Sequence, residues 1–176
     1  GGPHGARHGA CLMVGGEKEV VDYLRPLFTT LSVPQGYEYF GSHGAGHFVK
    51  MVHNGIEYGM MQSIAEGFAI MKASSYKLNL RHVANLYNHG SVVESKLVGW
   101  LEKGLQLYGE DLKDIGTTIN HSGEGAWTVD TAKELNIETP IIEDSLDFRK
   151  KSPEKPAFTN KLVNVQRTMF GGHEVK

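Results

Sequence analysis

The stretch GAGHFVKMVHNGIEYG, residues 44–59, places a polar stripe on an otherwise apolar helical pattern. Its polar side chains fall at i, i+3, i+4, i+7 and i+8, the positions that share one face of a helix with about 3.6 residues per turn. Apolar residues such as Phe48 and Ile56 take the remaining positions, so we expect a largely buried helix. Its polar face must then line a satisfied hydrogen-bond network or a wet cleft. The five polar residues are Lys50, His53, Asn54, Glu57 and Tyr58.

Lys50 and Glu57 pair an amine with a carboxyl two helical turns apart, about 10 Å along the helix axis. A lysine that is partly buried in an apolar wall has a lowered pKa, because desolvation disfavours its charged form. Such an amine can take a proton from a hydroxyl while the carboxyl returns a proton elsewhere on a small substrate. The alternative is a buried Lys–Glu ion pair that only fixes helix packing, and three further polar neighbours argue against it.

Composition narrows the classes of function. The 176 residues suffice for one domain with a core, or for one domain and part of another. A net charge of −2 gives no basic field for nucleic acid or an anionic membrane. The single cysteine, Cys11, fits a reducing cytoplasm and is expected to be buried within the run ACLMV. We expect no metal site, and no apolar run has the length of a membrane span.

The hydrophobic pattern predicts a strand–helix–strand unit that is followed only by helices. A strand at 9–16, a helix at 17–31 in which Pro26 begins or bends a turn, and a strand at 38–42 are typical of the end of an α/β domain. Ser91 with Glu94 has capping-box spacing, and Thr139 followed by Pro140 has the pattern of a helix start. Helices are predicted at 46–72, 80–90, 91–108, 126–136, 139–151 and 157–170.

The chain opens GGPHGARHG without a methionine and carries no G-x-G-x-x-G motif. We therefore expect a piece of a longer protein, without its dinucleotide-binding loop.

Three later motifs have a structural and a functional interpretation. HSGEGAWT (121–128) is either an anion-holding turn or a plain loop with a buried Trp127. Arg149 ends a basic helix terminus, where solvation is the ordinary state. QRTMFGGH (166–173), with Arg167 and His173, indicates a tail that docks onto something.

GAGHFVKMVHNGIEYGMMQ resembles the signature helix of decarboxylating 6-phosphogluconate dehydrogenase. GARHGACLMVGG, SGEGAWT, FR at 148–149 and RTMFGGH agree with that family in the same order, so the resemblance covers essentially the whole chain. The length after the signature helix is similar to the short-chain form. The resemblance implies a mostly α fold, with an all-helical substrate-binding and dimerisation domain at 43–176. The strand–helix–strand remnant of a Rossmann-type domain would occupy residues 1–42.

The same resemblance implies oxidative decarboxylation of 6-phosphogluconate to ribulose 5-phosphate and CO₂ in the pentose phosphate pathway. Lys50 would be the base for the 3-hydroxyl and then the acid on the keto oxygen, and Glu57 would protonate C1 of the enediol. Tyr58 and Arg149 would bind the phosphate. The full set of implied substrate-binding residues is Gly1, Gly2, His53, Asn54, Tyr58, Arg149, Arg167 and His173.

The cofactor implied is NAD or NADP, held mostly by a region outside this chain. The partner implied is a second copy of the chain in a homodimer, and Arg167 and His173 would complete the site of that second copy. The dimer would be cytoplasmic, with no nucleic-acid or membrane partner. Ser122 and Ala126 depart from the family pattern, because basic residues are usual there.

Two alternatives stay open. One is another β-hydroxyacid dehydrogenase, which shares the G-x-G-x-x-x-K-x-x-x-N core at 44–54, and the other is a non-catalytic helical dimerisation fragment. We expect the isolated chain to be inactive.

Overall fold

The computed structural model describes residues 2–172. A short helix α1 (Gly2–His8) leads into β1 (Ala10–Val14), α2 (Lys18–Leu31) and β2 (Ser32–Tyr39). The rest of the described chain is helical, which confirms the predicted mostly α fold with a strand–helix–strand unit ahead of it. Its helices are α3 (Ala45–Ala73), α4 (Leu80–Tyr87), α5 (Lys96–Tyr108), α6 (Glu124–Glu134), α7 (Pro140–Lys151) and α8 (Phe158–Gly171).

Strands β1 and β2 run parallel, with Leu12 opposite Tyr37 and Val14 opposite Tyr39. Helix α2 crosses over between them and continues through Pro26. The strand predicted at 38–42 is wrong in its bounds, because β2 begins at Ser32 and ends at Tyr39. β2 pairs with β1 at Ser32 and again from Tyr37 to Tyr39. Between them lies an irregular segment, residues 33–36, that carries a proline and a glycine, so the side-chain pattern did not indicate a strand there.

The strand–helix–strand unit leaves apolar surface uncovered. Cys11 is exposed, so its predicted burial is wrong. The sheet has only two strands among residues 2–172, and it leaves this side chain open to solvent. Helix α2 likewise exposes half or more of four apolar side chains, at positions that share one helix face. They are Val20, Tyr23, Leu27 and Leu31.

Helix α3 supplies the middle of the main core, where α4, α5 and α8 pack around its second half. Helix α3 has 29 residues, and its bounds match the prediction of 46–72 within one residue at each end. Its first half is less buried than predicted, since Phe48 is 46% exposed and Ile56 is 53% exposed. The largest fully buried apolar residues of this core are Met61, Leu80, Leu101, Leu112 and Leu162.

The helix caps differ from the predicted ones. Ser95, rather than the Ser91–Glu94 pair, caps α5, because its hydroxyl accepts a hydrogen bond from the Val98 N–H at 3.2 Å. Helix α5 therefore begins five residues later than predicted. Thr139 stands at the N-cap of α7 without a side-chain capping bond, so Pro140 at the first turn is the effective start signal. No helix within 2–172 is long and apolar enough to cross a membrane.

Gly104 sets the closest approach between α5 and α8. An ideal Cβ at Gly104 would lie 2.3 Å from Cγ2 of Val165, a short β-branched side chain that is fully buried. We predict that Gly104→Ala lowers the free energy of unfolding by about 1–3 kcal/mol, because overpacking forces the helices apart. Urea denaturation measures this. Gly67→Ala in α3 is the matched control, since its Cβ would meet nothing within 4 Å. An equal loss in both variants would contradict the packing explanation.

Candidate functional site

The polar face of α3 forms a continuous line of hydrogen-bonding groups. The Lys50 Nζ lies 3.3 Å from His53 Nδ1, and that nitrogen lies 3.8 Å from the Oε2 of Glu57. The Lys50 ammonium also donates to the side-chain oxygen of Asn54. The amine and the carboxyl therefore point to the same side of the helix and are connected through His53.

This line of groups borders solvent. Lys50 is exposed, the His53 side chain is 50% exposed and the Glu57 side chain is 19% exposed. The partial burial of Lys50 that the sequence argument assumed is therefore absent from the described chain. A small solute can reach the amine and the imidazole directly, and it reaches the carboxyl at the inner end of the same face.

Arg149 lies beneath that inner end. It is 97% buried, and its guanidinium carbon lies 3.4 Å from the centre of the Tyr58 ring, which is itself 7% exposed. Burial lowers the pKa of Arg149 to about 10, because desolvation disfavours the charged guanidinium. Arg149 Nη2 donates to the sulfur of Met61 at 3.6 Å, and a hydrogen bond with Tyr58 raises the pKa of the guanidinium. The interpretation of Arg149 as a solvated helix terminus is therefore wrong.

Arg167 approaches the same place from α8. It is 8% exposed, and its Nη1 donates to the Asn164 side-chain oxygen at 3.3 Å. Burial lowers the pKa of Arg167, and the nearby Tyr58 and Glu57 oppose that effect. Arg149 and Arg167 repel each other, and within residues 2–172 neither makes an ion pair with a carboxylate inside 4 Å. The site thus holds two buried cations and one nearby carboxylate.

The placement of Arg167 bears on the predicted homodimer. That Arg167 completes the site of a second subunit stays a prediction. Within its own chain, Arg167 lies near enough to Tyr58 and Glu57 for both to raise its pKa. Gly1 and His173, the terminal members of the predicted set, lie outside the described residues. Gly2 belongs to α1, where an ideal Cβ would lie 3.0 Å from the backbone oxygen of Phe170 near the end of α8. The start of α1 therefore lies close to the end of α8.

The glycine-rich turn before α6 carries its own carboxylate. The Ser122 hydroxyl donates to Glu124 Oε2 at 2.5 Å, and this bond lowers the pKa of Glu124, with Lys50 as a smaller electrostatic contribution. Glu124 therefore places a negative charge at the N-terminus of α6, where the helix dipole favours one. Trp127 is 57% exposed, so the alternative of a loop with a buried tryptophan is wrong.

Two other features of the described chain lie apart from this polar face. His4 and His8 have the i, i+4 spacing of metal ligands, which the sequence-based prediction missed, and their ring centres lie 4.6 Å apart with the ring planes tilted by 44°. Across residues 2–172, however, no group of three or more potential ligands forms. A groove of about 490 Å³ lies on the neighbouring face of α3, and it contains none of the predicted site residues. Its apolar lining includes Ile56, Met60, Ile64, Val92, Val93 and Ile141.

Comparisons with known proteins identify relatives of the whole chain. The family model for the 6-phosphogluconate dehydrogenase C-terminal domain matches residues 46–161. The chain is 47% identical to YqeC of Bacillus subtilis over 175 residues, or 98% of this chain and 58% of that protein. It is 40% identical to the NAD(+)-dependent, decarboxylating 6-phosphogluconate dehydrogenase of Haloferax volcanii over 176 residues, or 99% of this chain and 59% of that protein.

A solved structure agrees with these matches. The 6-phosphogluconate dehydrogenase of Plasmodium falciparum, studied in apo form and with NADP+ or 6-phosphogluconate, superposes with a TM-score of 0.71 at 34% identity. The match covers 86% of this chain and 34% of that one. The chain therefore spans about three-fifths of the length of the first two relatives and about a third of the Plasmodium enzyme.

The burial of Arg149 generates a stability prediction. The lowering of the Arg149 pKa to about 10 corresponds to a cost of about 3 kcal/mol, at 1.36 kcal/mol per pKa unit. Because the pKa is lower in the folded state, the charged form disfavours folding at every pH below about 10, and this cost disappears only as the pH rises above about 10 towards the pKa of an exposed arginine. The cost would be larger without Tyr58, which raises the pKa of Arg149.

We therefore predict that Arg149→Met does not lower the free energy of unfolding at pH 7 in the absence of added anions. Leu146→Ala on the same helix is the control, since removing a buried leucine costs about 2–5 kcal/mol. Urea denaturation of both variants decides the matter. A loss of several kcal/mol in Arg149→Met would mean that the arginine is a structural element of the fold.

Proposed function

Because this chain belongs to the 6-phosphogluconate dehydrogenase family, we propose that it is the substrate-binding and catalytic part of an NAD(P)-dependent decarboxylating enzyme. Its substrate would be 6-phosphogluconate and its products ribulose 5-phosphate and CO₂. Residues 43–176 would form the helical domain, and residues 1–42 the end of a dinucleotide-binding domain. The uncovered face of the two-stranded sheet and the apolar stripe on α2 support that division, because a larger α/β domain would cover both.

The observation that carries the proposal is the pair of buried guanidiniums beside an exposed amine. Arg149 and Arg167 make no carboxylate ion pair within 4 Å among residues 2–172, and Glu57 is the nearby carboxylate that raises the pKa of both, so two buried positive charges face one negative charge. A phosphate group supplies two negative charges and three acceptor oxygens, and the planar guanidinium fork binds them in pairs. Tyr58 follows Glu57 in α3, and its ring lies against Arg149, so it would complete this phosphate-binding end.

The opposite end of the polar face would carry the chemistry. Lys50 would take the proton of the substrate 3-hydroxyl and then return it to the keto oxygen while CO₂ leaves. Glu57 would donate a proton to C1 of the enediol. His53 and Asn54 would bind the hydroxyl and carboxylate region between them, since both contact the Lys50 ammonium.

NAD or NADP would supply the acceptor for the hydride from C3 when it is bound. The chain has the parallel β1–α2–β2 unit but no glycine-rich phosphate loop, so its own residues do not fit the whole cofactor. A homodimer belongs to the same proposal. In such a dimer, Arg167 and His173 would complete the site of the second subunit. The location of the protein stays a prediction.

The first test concerns the proposed base. We predict that Lys50→Ala in the full-length enzyme lowers kcat for 6-phosphogluconate by at least about 100-fold, because no other amine lies on the polar face of α3. NAD(P)H formation and CO₂ release measure the loss, and circular dichroism checks the fold. Lys133→Ala, at an exposed position of α6, is the matched control. Retained turnover in Lys50→Ala would refute the assignment of the base.

The second test concerns the phosphate. We predict that Arg149→Met lowers kcat/KM for 6-phosphogluconate by roughly 10- to 100-fold, because a charge-assisted hydrogen bond contributes about 1.5–3 kcal/mol. The same variant should change kcat/KM for unphosphorylated gluconate by much less. Wild-type enzyme that uses gluconate and 6-phosphogluconate equally well would instead favour another β-hydroxyacid dehydrogenase.

A further inference from the structure

We propose that Gly125 is a positioning residue of the phosphate-binding end, because the absence of a side chain on α6 at this point lets the Tyr58 ring lie against the Arg149 guanidinium. The inference rests on the proposed function, and it adds a residue that touches neither substrate nor cofactor. It concerns an interlock between α3 and α6, in which each helix presents a glycine to a side chain of the other.

Gly125 and Tyr58 occupy the same small space. An ideal Cβ at Gly125 would lie 2.4 Å from Cε2 of the Tyr58 ring, 2.7 Å from Cδ2 and 3.0 Å from Cζ. Real Cβ atoms essentially never approach other heavy atoms closer than 3.0 Å. Any residue other than glycine at this buried position therefore displaces the ring or the helix.

The ring has little room to move aside. Tyr58 is 7% exposed and packs with Val129 and Leu146 in a small apolar cluster. Its remaining face lies against Arg149, 3.4 Å from the guanidinium carbon. Because the ring is rigid, a shift away from Gly125 changes its position over the guanidinium and weakens the cation–π contact.

The helix is held as well. An ideal Cβ at Gly55 on α3 would lie 2.6 Å from Cγ2 of Thr128, so Thr128 occupies the space above Gly55. The Thr128 hydroxyl lies 2.8 Å from the Met51 backbone oxygen and 2.9 Å from that of Glu124, and it donates to these acceptors. This second contact lies one turn from Gly125 and fixes the distance between α3 and α6. The ring, rather than the helix, must therefore accommodate a methyl group at 125.

Displacement of the ring would act on binding more than on chemistry. Arg149 is held by Tyr58 and by the sulfur of Met61, without an ion pair among residues 2–172. A displaced ring no longer fixes the orientation of the guanidinium, so the N–H groups that would bind the phosphate are less ordered. Lys50 lies two turns away on α3 and keeps its contacts with His53 and Asn54.

The experiment measures steady-state kinetics of Gly125→Ala in the full-length enzyme. We expect KM for 6-phosphogluconate to rise about tenfold while kcat stays within about threefold of the wild-type value. Gly67→Ala is the matched control, because a Cβ there meets nothing within 4 Å. A general loss of stability would lower kcat through the amount of folded enzyme and would leave KM unchanged.

A double variant separates positioning from general damage. In a Tyr58→Ala background, Gly125→Ala should add no further rise in KM, because the methyl group enters the vacated space. If Gly125→Ala alone does not fold, the double variant should fold as well as Tyr58→Ala. Penalties that add, or an unchanged KM in Gly125→Ala, would overturn the inference. Failure of the proposed function looks different, since wild-type enzyme would then show no preference for the phosphorylated acid.

Discussion

Helix α3 packs in the protein core and also presents the polar face of the candidate site, and the rest of the structure is arranged around this helix. It contacts β1 and each of the helices α4 to α8. In its second half, Met61, Ala65 and Phe68 are almost completely buried. Its first half carries Lys50 and the groups that connect it to Glu57. Tyr58 stands where the two halves meet, and its ring closes the apolar core against the buried guanidinium of Arg149.

Close packing between elements explains several of the glycines in this chain. The 22 glycines are an eighth of the residues, well above the usual share of about 7%. An ideal Cβ at Gly46 would lie 2.3 Å from the Met13 backbone oxygen, where α3 crosses β1. At Gly104, between α5 and α8, a Cβ would meet a side chain, and the same holds at Gly55 and Gly125, between α3 and α6. These positions bring helices within reach of each other, and only through that packing do they affect the site.

The sequence predicted those parts that depend on local pattern. Helices α3, α7 and α8 carry a clear period and stop signals, so their bounds came within a residue or two. Helix α1 was not predicted, because Gly2, Pro3 and Gly5 are poor helix formers, and its contacts with α8 and β1 stabilise it instead. β2 was misplaced because backbone pairing, rather than side-chain pattern, defines it.

The candidate site likewise has one part that could be predicted from the sequence and one part that could not. The polar face of α3 follows from spacing within one helix, so its five residues could be listed from the sequence. The burial of Arg149 could not be predicted from the sequence. Helix α7 ends in Arg149, Lys150 and Lys151, and only tertiary packing decides which of these side chains turns inward. Arg149 becomes 97% buried because Tyr58 and Met61 cover it, whereas Lys150 and Lys151 stay exposed.

Packing also explains how the proposed phosphate site can tolerate its missing basic residues. Ser122 and Ala126 remove positive charge from the start of α6, and Glu124, held by Ser122, adds a negative one. Positive charge is instead concentrated in Arg149 and Arg167, which come from α7 and α8 and are buried. A buried charge is screened less by salt and water than an exposed lysine, so two such groups attract an anion more strongly than their number suggests. Their burial is unfavourable for folding, and an anion that neutralises them recovers part of that free energy on binding.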